Sequence, residues 1–142
     1  MPQIIKIGIF LSTLLLASCV SIDTGGYVVP GEILDERRKY YIIFSEDDQQ
    51  ALHELLREGM VAKGLFVESG FEDRMPEGVT YRVEYGGQWQ WDVTWYLLNF
   101  NVRIYDPESK LLIASAHSLR TSLGRKKPED MIAEALDKIF ID

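Results

Sequence analysis

The sequence predicts an α+β domain: a small antiparallel sheet of three to four strands with two helices packed on one face, in the order β-α-β-β-(β)-α. Three observations carry that expectation. Between Val79 and Ile104 apolar residues recur at every second position, the period of a half-buried strand. Two other segments place apolar residues three and four apart: Leu52, Leu55, Leu56, Gly59 and Met60, then Met131, Ile132, Ala135, Leu136, Ile139 and Phe140. Each forms a single apolar stripe when helical. Strands and helices with one apolar face apiece must cover each other, and helices laid on a sheet do so.

Taken in order, residues 1–18 read as a leader peptide. Lys6 and the amino terminus are positive, Ile7 to Leu16 is apolar apart from Gly8, Ser12 and Thr13, and Ala17 and Ser18 are small residues suited to cleavage. The apolar run is shorter than the roughly 20 residues a permanent membrane helix needs. The lipidated end and a tether are expected over 19–39, where Thr24, Gly25, Gly26, Pro30 and Gly31 interrupt any period. Alternatively, Tyr27, Val28 and Val29 dock as an edge strand. The domain proper is expected over 40–142.

Tyr40 to Phe44 scarcely alternates, which suits a strand buried on both faces. Ser45 is expected to cap the first helix, with Glu46, Asp47 and Asp48 in its first turn, where the helix dipole favours negative charge. Gly64 closes that helix as a left-handed cap. Leu65 to Val67 reads as a brief extended piece and Gly70 to Gly78 as a polar loop. Apolar residues then occupy odd positions from Val79 to Leu97, and even positions from Tyr96 to Ile104. A strand cannot switch its buried face without a bulge or a turn. The break is therefore placed within Asp92 to Leu98, and Gly86-Gly87 is a second candidate for a hairpin turn. Asp106-Pro107-Glu108-Ser109-Lys110 is a turn that returns Leu111 to Leu119 as a strand. Gly124 to Lys127 reads as a solvated basic linker, and Pro128 opens the second helix, followed by Glu129 and Asp130.

Composition limits function more than any motif does. The formal net charge is −7, and losing Lys6 with the leader takes it to −8. Such a surface favours neither nucleic acid nor anionic lipid heads as a partner. His53 and His117 are the only histidines, and neither sits at metal-ligand spacing. The sequence also has no GxSxG step and no glycine-rich loop opening a helix, so no metal, cofactor or catalytic group is expected. The most distinctive feature is aromatic. Trp89, Trp95 and Tyr96 are the candidate binding face, while Tyr85 and Trp91 are expected to be structural. Exposed aromatic clusters mark interaction sites, here for an envelope protein, a glycan or a lipid. The amide and carboxylate of Trp89-Gln90-Trp91-Asp92 also suit sugar hydroxyls.

The tetrapeptide Leu16-Ala17-Ser18-Cys19 resembles the lipobox of bacterial lipoproteins. That resemblance implies cleavage before Cys19, a thioether lipid on its sulfur and acylation of the new amine. Cys19 is the only cysteine, and an unpaired thiol in an exported chain calls for such an explanation. Val20, rather than an aspartate, follows it; the resemblance therefore implies the outer membrane, with the domain on the periplasmic face. The stretch from Tyr81 to Ser118 also resembles the core of a Sbal-type group of small bacterial lipoproteins. The shared features are Trp89, Trp91 and Asp92, then Tyr96, a strand ending near Ile104-Tyr105, a turn, and Leu112-Ile113-Ala114-Ser115-Ala116. Gly86-Gly87 departs from that pattern. This resemblance implies a lipoprotein and no activity. The element order is similar, as an analogy only, to the lipoprotein plug of the lipopolysaccharide-assembly translocon.

Together these readings lead to a non-enzymatic outer-membrane lipoprotein that binds or scaffolds another envelope component. The alternative is a periplasmic glycan-active or hydrolytic protein using a Trp-Asp face, in which Asp92 would meet His117 or Glu84. Cys19→Ala is expected to abolish incorporation of labelled palmitate in cells and to release the chain from the outer-membrane fraction. Wild-type protein that takes up no palmitate would contradict the lipobox reading.

Overall fold

A computed structural model of the chain describes residues 22–141; the leader and Cys19 lie outside that range. The elements are β1 (Ile22–Val28), β2 (Lys39–Ile43), α1 (Leu52–Ala62), β3 (Phe66–Gly70), β4 (Tyr81–Asp92), β5 (Thr94–Tyr105), β6 (Leu112–Arg120) and α2 (Pro128–Asp137). All six strands join one sheet in the order β1-β6-β5-β4-β2-β3. The pairs β1·β6, β6·β5 and β5·β4 are antiparallel, whereas β2 is parallel to both β4 and β3.

This corrects the expected sheet of three or four antiparallel strands. Two segments account for the difference. The brief extended piece after Gly64 is a full strand, β3, because α1 carries the chain back to run parallel to β2, a crossover that a hairpin cannot make. Part of the expected tether is also a strand. Residues 22–28 pair with β6 from Ile22 opposite Arg120 to Val28 opposite Ala114, so the edge-strand alternative describes this stretch.

Both helices lie over one face, and a single core joins them to the sheet. Tyr40, Ile42, Val83, Phe100, Val102 and Ile104 meet Leu56 and Met60 of α1 and Met131, Ile132 and Leu136 of α2. Tyr40 and Ile42 are enclosed beneath the helices, and Tyr41 is buried on the alternate face with its hydroxyl donating to the Phe71 carbonyl at 3.1 Å, as the unalternating sequence of β2 implied. The helices touch where Gly59 faces Leu136 and Ile132; a methyl on Gly59 would stand 3.1 Å from the Leu136 side chain.

The start of α1 also differs from expectation. Its first helical residue is Leu52, not one just after Ser45. Ala51 holds a left-handed φ of 55°, so the chain turns sharply into the helix there. Asp48 reaches forward to do the capping. Its Oδ1 accepts from the Leu52 amide at 2.9 Å and its Oδ2 from the His53 amide at 3.0 Å. At the other end Gly64 has φ 81°, the left-handed cap the sequence indicated. Pro128 occupies the first turn of α2, also as expected.

The opposite sheet face has no helix. It presents Asn99, Asn101 and Arg103 beside Ser115 and His117, and the ion pairs of Arg82 with Glu72 and Glu84. Leu136, fully buried between α2 and the sheet, should lose roughly 2–5 kcal/mol on truncation to alanine. Leu55, only half-buried at the core margin, should lose less. Urea titration of both variants checks the order; equal, small losses would contradict the shared core.

Candidate functional site

The ribbon of β4 and β5 is twelve residues per strand and outruns its neighbours. β2 pairs with β4 only over Tyr81 to Val83, and β6 pairs with β5 only as far as Asn99 opposite Leu119. Past Asn99 the ribbon continues alone to a tight turn at Val93. Gly86 and Gly87 sit inside β4, opposite Asn101 and Phe100, and form no hairpin. A side chain at Gly87 would collide with Leu52 at the start of α1, so glycine there admits the helix.

The change of phase between odd and even positions has a definite cause. Gln88 pairs with Asn99, but Trp89 pairs with Leu97, which leaves Leu98 as an extra residue on β5. That bulge rotates the strand by one side chain. Phe100 and Leu97 both enter the core as a result, and Tyr96 turns to the opposite face.

Beyond the bulge the aromatic residues separate. Trp89 packs half-buried against the core. Trp91 and Trp95 lie directly opposite each other, ring centres 5.7 Å apart and edge to face at 64°. They stand past the reach of the helices and are 59 % and 65 % exposed. Trp91 is thus not structural, which corrects its expected place in the core. Tyr96 is buried instead, with the Arg125 guanidinium 4.5 Å over its ring. Of the candidate face, then, Trp95 is open, Trp89 half-covered and Tyr96 beneath an arginine.

Arg125 also shows that the expected basic linker is part of this site. It donates to Thr94 Oγ1 at 2.6 Å and to the Ser122 carbonyl at 3.0 Å, and pairs with Asp92 at 3.3 Å. The Ser122 hydroxyl bonds the Asp92 carboxylate. These links fasten residues 122–125 to the hairpin and leave Leu123 outward, 70 % exposed. At the apex Val93 has φ 65° and is 83 % exposed. A β-branched residue in that region is strained where glycine would not be. Strain of this kind at an exposed apolar side chain points to a use for it. Trp91, Val93 and Trp95 therefore make an apolar tip, and Leu123 is exposed on the segment fastened to it. No pattern in the sequence placed the 122–125 segment at the hairpin, because the Ser122 and Arg125 links that fasten it are tertiary.

Ile22 belongs to the same end of the sheet, since it pairs with Arg120, the last residue of β6 before the 122–125 segment. The chain thus enters the domain at the end that carries the apolar tip.

The other polar groups are engaged elsewhere. His117 contacts Asp23 at 3.0 Å and Glu84 binds Arg82 at 2.6 Å, so Asp92 meets neither His117 nor Glu84. Among the described residues no group of three or more His, Cys, Asp or Glu converges as a metal site. A cleft of about 320 Å³ opens beside Trp89, bordered by Ser45, Asp47, Asn101 and Arg103, with the bare backbone of Gly86 and Gly87 in its wall. Deeper in it lies Asp48. Its Oδ2 also accepts from the Tyr85 hydroxyl at 2.7 Å and contacts His53 Nδ1 at 3.0 Å. Burial would raise this carboxyl, but the amide, imidazole and phenol partners outweigh it and hold it at about 2.

No protein-family model and no curated protein matches the sequence. Among solved structures the fold is similar to PelC from Paraburkholderia phytofirmans, crystallised as a dodecamer, with a TM-score of 0.62 and 13% identity over 83% of this chain and 97% of that one. A single-substitution variant of the PelC dodecamer gives a TM-score of 0.61 and 12% identity over 84% of this chain and 97% of that one. At such identity the likeness is one of fold.

A carboxylate held low when folded stabilises fully above its unfolded value of about 3.9 and ceases to do so as pH falls through about 2. Asp48→Asn keeps a capping side chain but loses the charge, and should thus cost on the order of 1–2 kcal/mol at neutral pH. Its stability should converge on wild type as pH approaches 2. Urea midpoints across that range test this; a constant gap would show that the charge is immaterial.

Proposed function

We propose that this chain is a non-enzymatic lipoprotein of the outer membrane that rests the tip of its sheet on the periplasmic leaflet and scaffolds another envelope component there. The observation that carries the reading is that the apolar tip and Ile22 share one end of the sheet. Ile22 follows Cys19 by three residues, a reach of about 10 Å at roughly 3.3 Å per residue. With a lipid on Cys19, Trp91, Val93, Trp95 and Leu123 would stand at the membrane surface. Tryptophan favours that boundary because its ring is apolar and its N–H stays hydrated. Apolar contact by the tip would orient a domain already held by the acyl chains on Cys19.

The scaffold part of the reading draws on the free strand edges of this fold. The PelC chains that share this fold form a dodecamer, and β1 and β3 here leave two unpaired strand edges. The glycan-active alternative finds its best support in the cleft beside Trp89, where Asp47, Asn101 and Arg103 border an aromatic wall.

The test is flotation of the lipidated chain with vesicles of phosphatidylethanolamine and phosphatidylglycerol. Wild type should float. The double variant Trp91→Ala with Trp95→Ala should stay folded, because both rings are exposed, yet be extracted by high salt or mild detergent at least several-fold more readily. Equal retention would overturn membrane contact by the tip. Trp89→Ala, which removes core packing, should instead lower the melting temperature.

A further inference from the structure

Strand β4 has a free edge inside the sheet, apart from the edges of β1 and β3. It runs from Tyr81 to Asp92, but β2 pairs with it only over Tyr81 to Val83. The chain leaving β2 stays with β3, where the Phe44 amide donates to the Gly70 carbonyl at 2.9 Å. It then crosses to the helix side, where the Ser45 amide donates to the Tyr85 hydroxyl at 3.3 Å. From Glu84 onward no strand lies beside that edge of β4. The Thr80 amide donates to the Lys39 carbonyl at 2.9 Å, so it points toward β2. Backbone groups alternate in direction along a strand, and the amides of Gly86 and Gln88 therefore point to the same, uncovered side. Sheets commonly blunt such edges with lysine, proline or a covering segment, and Gly86 and Gly87 do none of these.

The cleft of about 320 Å³ beside Trp89 lies along this edge. Ser45 and Asp47 border it from the helix side, and Asn101 and Arg103 from the open face. Residues of both faces can border one space only where the sheet stops between them. A second cleft of about 380 Å³ continues it toward the end of β2 and shares Ser45, Tyr85 and Arg103 with the first. Carboxylates prevail along the two. Glu46 and Asp47 are exposed, with Asp48 ionised behind them. Arg82 is already paired with Glu72 and Glu84. Among the described residues Glu46, Asp47 and Arg103 form no ion pair. The edge thus offers two free carboxylates on its helix side and one free cation on its open side.

We infer that the β4 edge from Glu84 to Gln88 takes an extended basic segment of another protein as an added strand, with its main chain on Gly86 and Gln88 and its lysines or arginines beside Glu46 and Asp47. Strand addition draws affinity from main-chain hydrogen bonds and specificity from alternate side chains. Trp89, half-buried in the wall of the cleft, offers its ring to the same cations. A second copy of this chain suits the edge poorly, because it is itself acidic and brings the same carboxylates. The inference deepens the scaffold part of the reading above by giving the partner a chemistry, and it rests on neither the lipid anchor nor the tip.

The experiment is amide exchange by NMR on the full lipidated chain in nonionic detergent. The probe is a capped peptide of alternating lysine and threonine, about seven residues long, an ordinary strand length. In the free protein the amides of Gly86 and Gln88 should exchange roughly 100-fold faster than those of Val83 and Tyr85, which face β5. Saturating peptide should slow Gly86 and Gln88 roughly 10-fold and leave the other strands unchanged. A peptide of alternating glutamate and threonine should bind roughly 10-fold more weakly, a gap that added salt narrows. Glu46→Lys combined with Asp47→Lys, at two exposed positions, should weaken the lysine peptide by roughly the same factor at an unchanged melting temperature. No added protection at Gly86 and Gln88, equal binding of the two peptides, or the same protection from chitotetraose, a neutral glycan, would overturn the inference. Flotation of the tryptophan variants bears only on the tip, so the two ideas fail separately.

Discussion

Leu98 has no partner on β4, and much of the molecule follows from that one extra residue. Without it, a strand that buries Phe100, Val102 and Ile104 would turn Leu97 and Trp95 to the open face. With it, Leu97 joins Phe100 in the core and Trp95 comes opposite Trp91. The bulge also puts Tyr96 where Arg125 can cover it, and Arg125 in turn ties residues 122–125 to the hairpin. Core closure, the aromatic pair and the position of Leu123 are therefore consequences of a single register shift.

At one end of the sheet the 106–110 turn is held by Asp106, which accepts backbone amides from Glu108 and Ser109, and Leu111 beside it is exposed. The other end carries the exposed tryptophan pair, Val93, Leu123 and the point where the chain enters.

Legibility in the sequence followed the range of the interactions involved. The stripes of α1 and α2, the enclosed strand at 40–43, the turn at 106–110 and the need for a break near 92–98 could all be read, because each is a local pattern with a period or a turn signal. The start of α1 could not. Ser45 is a good cap by type, yet Asp48 took the role, since Tyr85 on a distant strand supplies a further hydrogen bond that favours its carboxylate. Strand β1 was obscured by its own glycines, and its pairing depends on β6, more than eighty residues later. Trp91 looked structural because alternation shows which face a residue takes but not where the covering helices stop.

The sequence by itself determined the α+β class, the two amphipathic helices and an aromatic run too long to lie wholly in a core. Those are properties of spacing and residue type, which act over a few residues. Only the tertiary structure decided that the sheet has six strands in mixed directions, that Trp91 and Trp95 are open while Tyr96 is covered, and that β1 begins at the same end of the sheet. The reason is that strand order, register and the extent of a covering layer are set by pairings between segments far apart in the chain. No local period encodes which edge a strand will find.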